Sequence, residues 1–218
     1  LLDWLAAEMR DIECGQSPQP RSAIKHTHRR IVTSSVYRQA SQHSPQAAQI
    51  YVGNRYLWRM NRRRLDAEAI RDSVLWISGQ LNSRMGGPSD RQFNQGSGLH
   101  VTPTVDYVNF DVDHPDNHRR SVYRFVFRTL PDPFMDALDC PDASQLAPKR
   151  NVSLTAIQAL AMLNDKLIVR QSQWIADRAS RVATERAASK EKGQSAKAPL
   201  LQRDIESLYR ILLGRVPS

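Results

Sequence analysis

The chain has 218 residues, enough for one domain with a buried core, with or without appendages. It carries 31 Lys and Arg against 22 Asp and Glu, a formal net charge of +9, and 40% of its residues are hydrophobic. The longest nearly apolar run, residues 154–163, is too short and too polar to span a bilayer. Counted in blocks of fifty residues, the positive charge is spread along the chain, which does not favour specific nucleic-acid binding.

The first 60 residues predict short helices joined by polar loops. The sequence begins on Leu1 within a helical pattern, so we expect an excised piece of a longer polypeptide. Residues 14–20 (CGQSPQP) predict a loop, and residues 23–39 predict the next helix. A further short helix is predicted at residues 54–60, NRYLWRM.

Residues 61–89 predict an amphipathic helix with a charged beginning. Apolar residues recur at helical spacing at Ile70, Val74, Ile77 and Leu81. The helix should end at the sequence MGGPS, because two glycines followed by a proline terminate helices.

The charged beginning of this helix, NRRRLDAEAIRD, predicts surface ion pairs at spacings of three and four residues. Its two carboxylates stand two residues apart and point about 200° from each other on a helix, so they do not form a catalytic pair. The predicted structural ion pairs involve Arg62, Arg64, Asp66, Glu68 and Arg71.

Residues 90–120 change character, and a small β-hairpin or extended insertion is predicted around residues 100–128. Apolar and polar residues alternate over 108–113 and again over 123–128, which is typical of strands. Between them, DVDHPDNH contains three aspartates and two histidines. We interpret it as a polar turn rather than a metal site, because it fails the calcium-loop pattern and Pro115 interrupts any helix carrying both histidines.

The C-terminal third predicts helices again. The sequence TAIQ at 155–158 fits a capping box, and Asn164 with Asp165 should end that helix and begin a long amphipathic one. Residues 183–199 are poor in apolar residues and predict a linker or a frayed helix end. A last helix should follow, closed by Gly214 and Pro217.

The candidate binding segment consists of Arg119, Arg120, Arg128 and Arg150 with the four aspartates of residues 132–142. They could lock a Pro-stiffened loop against the helices, or they could line an anionic or sugar-binding groove. We expect at least one of Arg120, Arg128 and Arg150 to form a bidentate contact with Asp139 or Asp142. The candidate binding residues are Arg120, Arg128, Asp132, Asp139, Asp142 and Arg150.

No motif for a known catalytic activity is present. The sequence has no G-x-S-x-G, no phosphate-binding glycine loop, no dinucleotide fingerprint and no C-x-x-C-H haem attachment site. Cys14 and Cys140 match no metal or redox spacing, and whether they pair stays open. We therefore expect no cofactor in this segment and assign no catalytic or metal-binding residue.

Four blocks of sequence resemble one family. They are SSVYRQAS (34–41), NRRRLDAEAIRDSVLWISGQL with MGGPS (61–89), RRSVYRFVFRTLPDPFMDALDCPD (119–142) and SLTAIQALAMLND (153–165). Together they resemble the planctomycete domain of unknown function 1553, the PSD domain found beside planctomycete cytochrome c modules. The chain departs from it by lacking the upstream part, and by having Leu146 and Ala147 where related sequences often place a Cys.

The resemblance implies an exported protein, periplasmic or at the cell surface, whose other domains include a cytochrome c module. It also implies a role in polysaccharide use or in redox work at the cell surface, without established catalytic residues. We expect a mainly α fold, with a helical domain over 1–182 (truncated at its N-terminus), a linker over 183–199 and a C-terminal helix over 200–218.

The expected function is a non-catalytic binding or scaffold module whose partners are other domains of the same polypeptide, a polysaccharide or a cytochrome c module. The alternatives are a hydrolase or redox component that uses the Asp/Arg segment 119–150, and a nucleic-acid-binding module. We expect any nucleic-acid binding to be absent or merely electrostatic.

Overall fold

The computed structural model describes residues 1–13, 23–98, 103–141, 143, 149–190 and 200–217. The chain divides into two compact units, Leu1–Arg64 and Leu65–Ser218. For these residues, the mainly α fold with a small antiparallel hairpin is confirmed. Within the described residues, no helix is long and apolar enough to cross a membrane.

The described residues of the first unit form α1 (Leu2–Glu13), α2 (Ala23–Thr33) and α3 (Pro45–Ile50). α1 packs against α2, and Ser44 caps α3 by accepting a hydrogen bond from the backbone N–H of Ala47. The prediction of a helix at residues 54–60 is wrong, because this segment forms turns. Asn54 and Leu57 adopt left-handed φ angles of 50° and 52°, which no right-handed helix contains.

The second unit contains α4 (Ala67–Ser78), α5 (Pro133–Ala137), α6 (Ala156–Asn164), α7 (Lys166–Lys190) and α8 (Leu200–Leu213). α7 packs against α4, α6 and α8. Two short 3₁₀ turns, Pro115–His118 and Ser121–Tyr123, lie between α4 and α5. The core of the unit is a cluster of Ala67, Phe134, Met135 and Leu138.

α4 is shorter than predicted, because it begins at Ala67 and ends before the predicted stop at MGGPS, and its buried face is one residue out of register with the prediction. Asp66 is its N-cap residue, and Gly79 ends it in the left-handed conformation at φ 81°. The buried residues are Ala67, Arg71, Leu75 and Ser78, whereas the predicted apolar positions are only half-buried. An arginine therefore occupies the centre of the buried face.

The helix signals near the C-terminus are confirmed. Thr155 and Gln158 form the predicted capping box of α6. Asp165 then accepts hydrogen bonds from the backbone N–H groups of Leu167 and Ile168, at 2.9 and 3.3 Å, and so caps α7. α7 continues through Lys190, into the first half of the predicted linker, and residues 191–199 lie outside the described residues.

The hairpin consists of β1 (Asn94–Gly96) and β2 (Thr104–Asp106), paired antiparallel with Gln95 opposite Val105. These strands lie before the two alternating runs on which the sequence prediction depended. The runs themselves form turns, the 3₁₀ segments and single bridges, in which Asn82 pairs with Arg119 and Asp90 with Arg124. Their apolar side chains pack as an aromatic cluster in which Phe93 contacts Tyr107, Phe125 and Phe127 edge to face.

Candidate functional site

A buried arginine on α4 holds the segment that contains the two 3₁₀ turns. The Arg71 side chain is 2% exposed and donates hydrogen bonds to the backbone carbonyls of Asn117 and Arg119 and to the hydroxyl of Ser121. Burial lowers the pKa of Arg71 to about 10, so the guanidinium stays charged at neutral pH. The backbone of residues 117–121 is therefore fixed against α4.

A second buried arginine, Arg119, fixes the glycine-rich loop after α4. Its guanidinium lies 3.9 Å from the centre of the Tyr123 ring. It donates to the carbonyl of Gly86 at 2.7 Å, to that of Pro88 at 3.1 Å and to Asp90 Oδ2 at 2.8 Å. The loop is thus tied to the second 3₁₀ turn by a forked cation that stacks on an aromatic ring.

A third arginine, Arg124, joins the hairpin region to α5. It donates to Gln92 Oε1 and to Asp132 Oδ2. The other oxygen of Asp132 accepts the backbone N–H groups of Phe134 and Met135, at 2.9 and 3.3 Å, and caps α5. Both oxygens of Asp132 therefore have hydrogen-bond donors.

Beside these contacts lies a cleft of about 250 Å³. Apolar and aromatic side chains, including Val108, Phe110 and Phe134, form part of its wall. Its polar lining includes Tyr107, Asp132, Asn164, Asp165 and Lys166. This mixture of aromatic surface with a few hydrogen-bonding groups is typical of small-ligand sites.

Asp165 lines this cleft and has one carboxylate oxygen that accepts no hydrogen bond from the described residues. Its Oδ1 caps α7, and among the described residues no hydrogen-bond donor reaches Oδ2. Burial, and then the negative charge of Asp132, raise the pKa of Asp165 above its ordinary value. A ligand hydroxyl or amine that donates to Oδ2 would relieve this desolvation.

Two other polar side chains at the cleft already have one hydrogen bond each. The hydroxyl of Tyr107 donates to the carbonyl of Leu130 at 2.7 Å, and burial raises its pKa. Lys166 Nζ donates to the carbonyl of Val108 at 2.5 Å. Tyr107 can still accept a hydrogen bond and Lys166 can still donate, so both positions are defined before a ligand arrives.

The structure does not bring the predicted binding residues to one place. Asp132 lines the cleft, and together with Arg128 it lines a smaller cavity of about 50 Å³. Arg128 donates to the carbonyl of Ala143, and Arg120 is exposed with its Nε 3.9 Å from Asp72. Asp139 accepts from the backbone N–H and hydroxyl of Ser153. Asp142 lies outside the described residues.

Arg150 forms a bidentate contact, as predicted, but its partner is Glu68 rather than Asp139 or Asp142. Arg150 donates from Nη1 to Glu68 Oε2 at 2.7 Å and from Nη2 to Glu68 Oε1 at 2.8 Å. The prediction that Glu68 pairs with an arginine of its own helix is also corrected, because Glu68 binds Arg150. Arg62 and Arg64 precede α4, which begins at Ala67, so no helical turn aligns them with carboxylates three or four residues ahead.

The Glu68–Arg150 pair predicts a small stability change at acid pH. Arg150 lowers the pKa of Glu68 in the folded protein, so the pair stabilises above the unfolded-state pKa of Glu68 and is lost as the pH falls below 4.5. Because both side chains are more than 30% exposed, we expect Glu68→Gln to cost under about 1 kcal/mol.

Urea denaturation at pH 7 and pH 3 measures this, with Glu68→Gln, Arg150→Gln and the double variant forming a cycle. The coupling energy should be smaller at pH 3 than at pH 7, because protonation of Glu68 removes its charge. A coupling that is equal at both pH values would contradict an ionic contact.

Sequence reasoning assigned no such role to Arg119, Arg124, Tyr107 and Asp165, and it predicted Arg71 only as a member of surface ion pairs. One signal was available for Arg71, because Ala67, Leu75 and Ser78 flank it at helical spacing and small residues allow close packing. None was available for Arg119 and Arg124, which bind carbonyls or side chains 8 to 35 residues away along the chain.

Metal binding finds no support in the described part of the chain, where no group of three or more His, Cys, Asp or Glu could hold an ion. In the segment DVDHPDNH, Asp113 pairs with Arg170 at 2.9 Å, and His114 accepts a hydrogen bond from the backbone of Asp116. Cys140 is a half-buried free thiol whose pKa is raised by burial, and Cys14 lies outside the described residues.

The family model for PSD1, protein of unknown function (DUF1553), matches residues 1–218. The chain belongs to the PSD1 family. This confirms the resemblance drawn from the four sequence blocks. Neither the curated proteins nor the solved structures contain a match to this PSD1 chain.

Proposed function

We propose that this PSD1 chain is a non-catalytic binding module of an exported multidomain bacterial protein and holds a segment of polysaccharide in the cleft beside Asp165. Its other partners would be domains of the same polypeptide, such as a cytochrome c module. The observation that carries the proposal is a cleft of about 250 Å³ with aromatic and apolar walls and one open carboxylate oxygen.

The polar groups of the cleft suit hydroxyl groups. Asp165 Oδ2 accepts, Lys166 Nζ donates and the hydroxyl of Tyr107 accepts, so a sugar ring could use each of its hydroxyls in one of these contacts. The apolar walls, including Phe110 and Phe134, would cover the C–H face of the ring. Hydrogen bonds to a charged group contribute about 1.5–3 kcal/mol each, so Asp165 should dominate the affinity.

The hydrolase alternative needs two carboxylates that are free to exchange protons at the same bond. Asp132 and Asp165 both line the cleft, but the two oxygens of Asp132 already accept hydrogen bonds from Arg124 and from the start of α5. One carboxylate with an open oxygen supports binding better than acid–base catalysis.

A glycan array identifies the ligand, and calorimetry with Asp165→Asn tests the site. Asparagine caps helices as well as aspartate does, so stability should be unchanged while sugar affinity falls roughly tenfold. Asp177→Asn is the matched control, since Asp177 lies on the exposed face of the same helix. Equal affinity of Asp165→Asn and wild type would overturn the site, and shortened glycan products would overturn the non-catalytic assignment.

Export is tested separately, by fractionating cells that produce the full-length protein. We expect the protein in the periplasmic or surface fraction and, if the cytochrome neighbour is present, a haem signal in the same polypeptide. A protein confined to the cytoplasmic fraction would refute this part of the proposal.

A further inference from the structure

The basic charge of the chain is concentrated in one stretch. Residues 14–65 contain ten of the 31 Lys and Arg and none of the 22 Asp and Glu. The remaining residues therefore carry one more acidic than basic side chain. Blocks of fifty residues hide this, because they combine the stretch with acidic neighbours on both sides. A long segment without a carboxylate offers its Lys and Arg side chains few ion-pair partners of its own. Such a surface favours the binding of an anionic ligand.

Within the first unit, the few carboxylates belong to α1 and neutralise little of this charge. Glu8 accepts from Arg30 Nη2 at 2.7 Å and contacts His26 at 3.0 Å. Further along, Arg55, Arg62 and Arg63 are exposed, and no carboxylate of the described residues pairs with them. We call residues 51–63 the arginine loop.

The arginine loop is held in a defined conformation. Asn54 is 5% exposed, adopts the left-handed φ of 50°, and donates from its side chain to the carbonyl of Arg59 at 2.9 Å and to Asn61 Oδ1 at 2.8 Å. Trp58 Nε1 donates to the carbonyl of Tyr51 at 3.1 Å. The backbone N–H of Met60 donates to the carbonyl of Ala40 at 2.9 Å, which ties the loop to the segment after α2.

The aromatic side chains of the loop contact one another or a neighbouring side chain. Tyr51 and Tyr56 pack edge to face at 4.9 Å, while His43 and Arg59 both pack on the Trp58 ring. Tyr51 and Tyr56 remain 45% and 70% exposed. Because single-stranded nucleic acids bind mainly by stacking bases on free aromatic faces, the test of the loop includes an oligonucleotide.

Resting on the proposed function, we propose that the arginine loop binds the sulfate or carboxylate groups of an anionic polysaccharide. Guanidinium groups bind such planar or tetrahedral anions with two parallel hydrogen bonds, which lysine cannot do. Nine of the ten basic residues in the stretch 14–65 are arginine. The loop would hold the charged polymer by ionic contacts that weaken as salt is added.

The test measures binding of the 218-residue chain to dextran, carboxymethyl dextran and dextran sulfate of one length, and to an oligothymidylate, at two salt concentrations. The variant replaces Arg55, Arg62 and Arg63 with Gln. The matched control replaces three exposed arginines of the second unit with Gln, namely Arg181, Arg186 and Arg210. Both variants lose the same net charge.

We expect a charged dextran to bind. Its affinity should fall about tenfold or more in the loop variant and about twofold or less in the control variant. Equal losses in the two variants would overturn the proposal, because net charge alone would then explain binding. Tighter binding of oligothymidylate than of either charged dextran would replace the polysaccharide with nucleic acid. Binding of neutral dextran without a gain from charge would overturn this inference and leave the proposed function standing. Binding of no polymer would also overturn this inference alone, because the glycan array tests the ligand of the cleft separately.

Discussion

Replacing Arg71 with methionine should destabilise the protein by about 3–5 kcal/mol, because it leaves buried acceptors without their donor. The guanidinium supplies hydrogen bonds to the carbonyls of Asn117 and Arg119 and to Ser121, and its side chain is 2% exposed. Methionine retains most of the apolar stem, so lost packing explains little of the change. Urea denaturation monitored by circular dichroism measures the effect.

Two further variants separate the possible causes. Arg71→Lys preserves the charge but provides a single ammonium in place of the fork, so it should also be strongly destabilising. Arg84→Met removes an exposed arginine from the same unit and should change stability by less than about 0.5 kcal/mol. If Arg71→Met were as stable as Arg84→Met, the buried network would not hold the 3₁₀ segment.

Removing the carboxylate of Asp132 should have a comparable effect, because this side chain has two structural roles. It caps α5 and pairs with Arg124, whose side chain is 8% exposed. We expect Asp132→Ala to cost about 3–5 kcal/mol for the unpaired arginine and roughly 1 kcal/mol more for the lost cap. Asp132→Asn keeps an oxygen for the cap and should lie between Asp132→Ala and the wild type.

Asp136→Ala is the control for this series, because Asp136 lies on the same short helix and is exposed. It should cost under about 1 kcal/mol, the contribution of an exposed carboxylate in a first helical turn. If Asp132→Asn and Asp132→Ala had equal effects, the cap would contribute nothing. If neither exceeded Asp136→Ala, the Arg124 contact would be absent in solution.

The capping box explains why the start of α6 was predictable. Thr155 and Gln158 each bind the backbone of the other within one turn, so a local pattern specifies this helix start. The end of α4 was not predicted, because Gly79 ends the helix ahead of the MGGPS signal. The β element was harder to place. Its strands are three residues each, and the longer alternating runs nearby pack as aromatic clusters and turns instead.

The sequence by itself determined the mainly α class, the family and the capped start of α6, because these depend on local patterns and on sequence blocks read in order. Only the tertiary structure decided which charges are paired. Arg150 reaches Glu68 across 82 positions and Arg71 reaches Asn117 across 46, while Asp132 joins Arg124 from a different element. The distance between two charged groups is set by packing rather than by spacing along the chain, and a buried charge such as Arg71 must find its partners there because water is excluded.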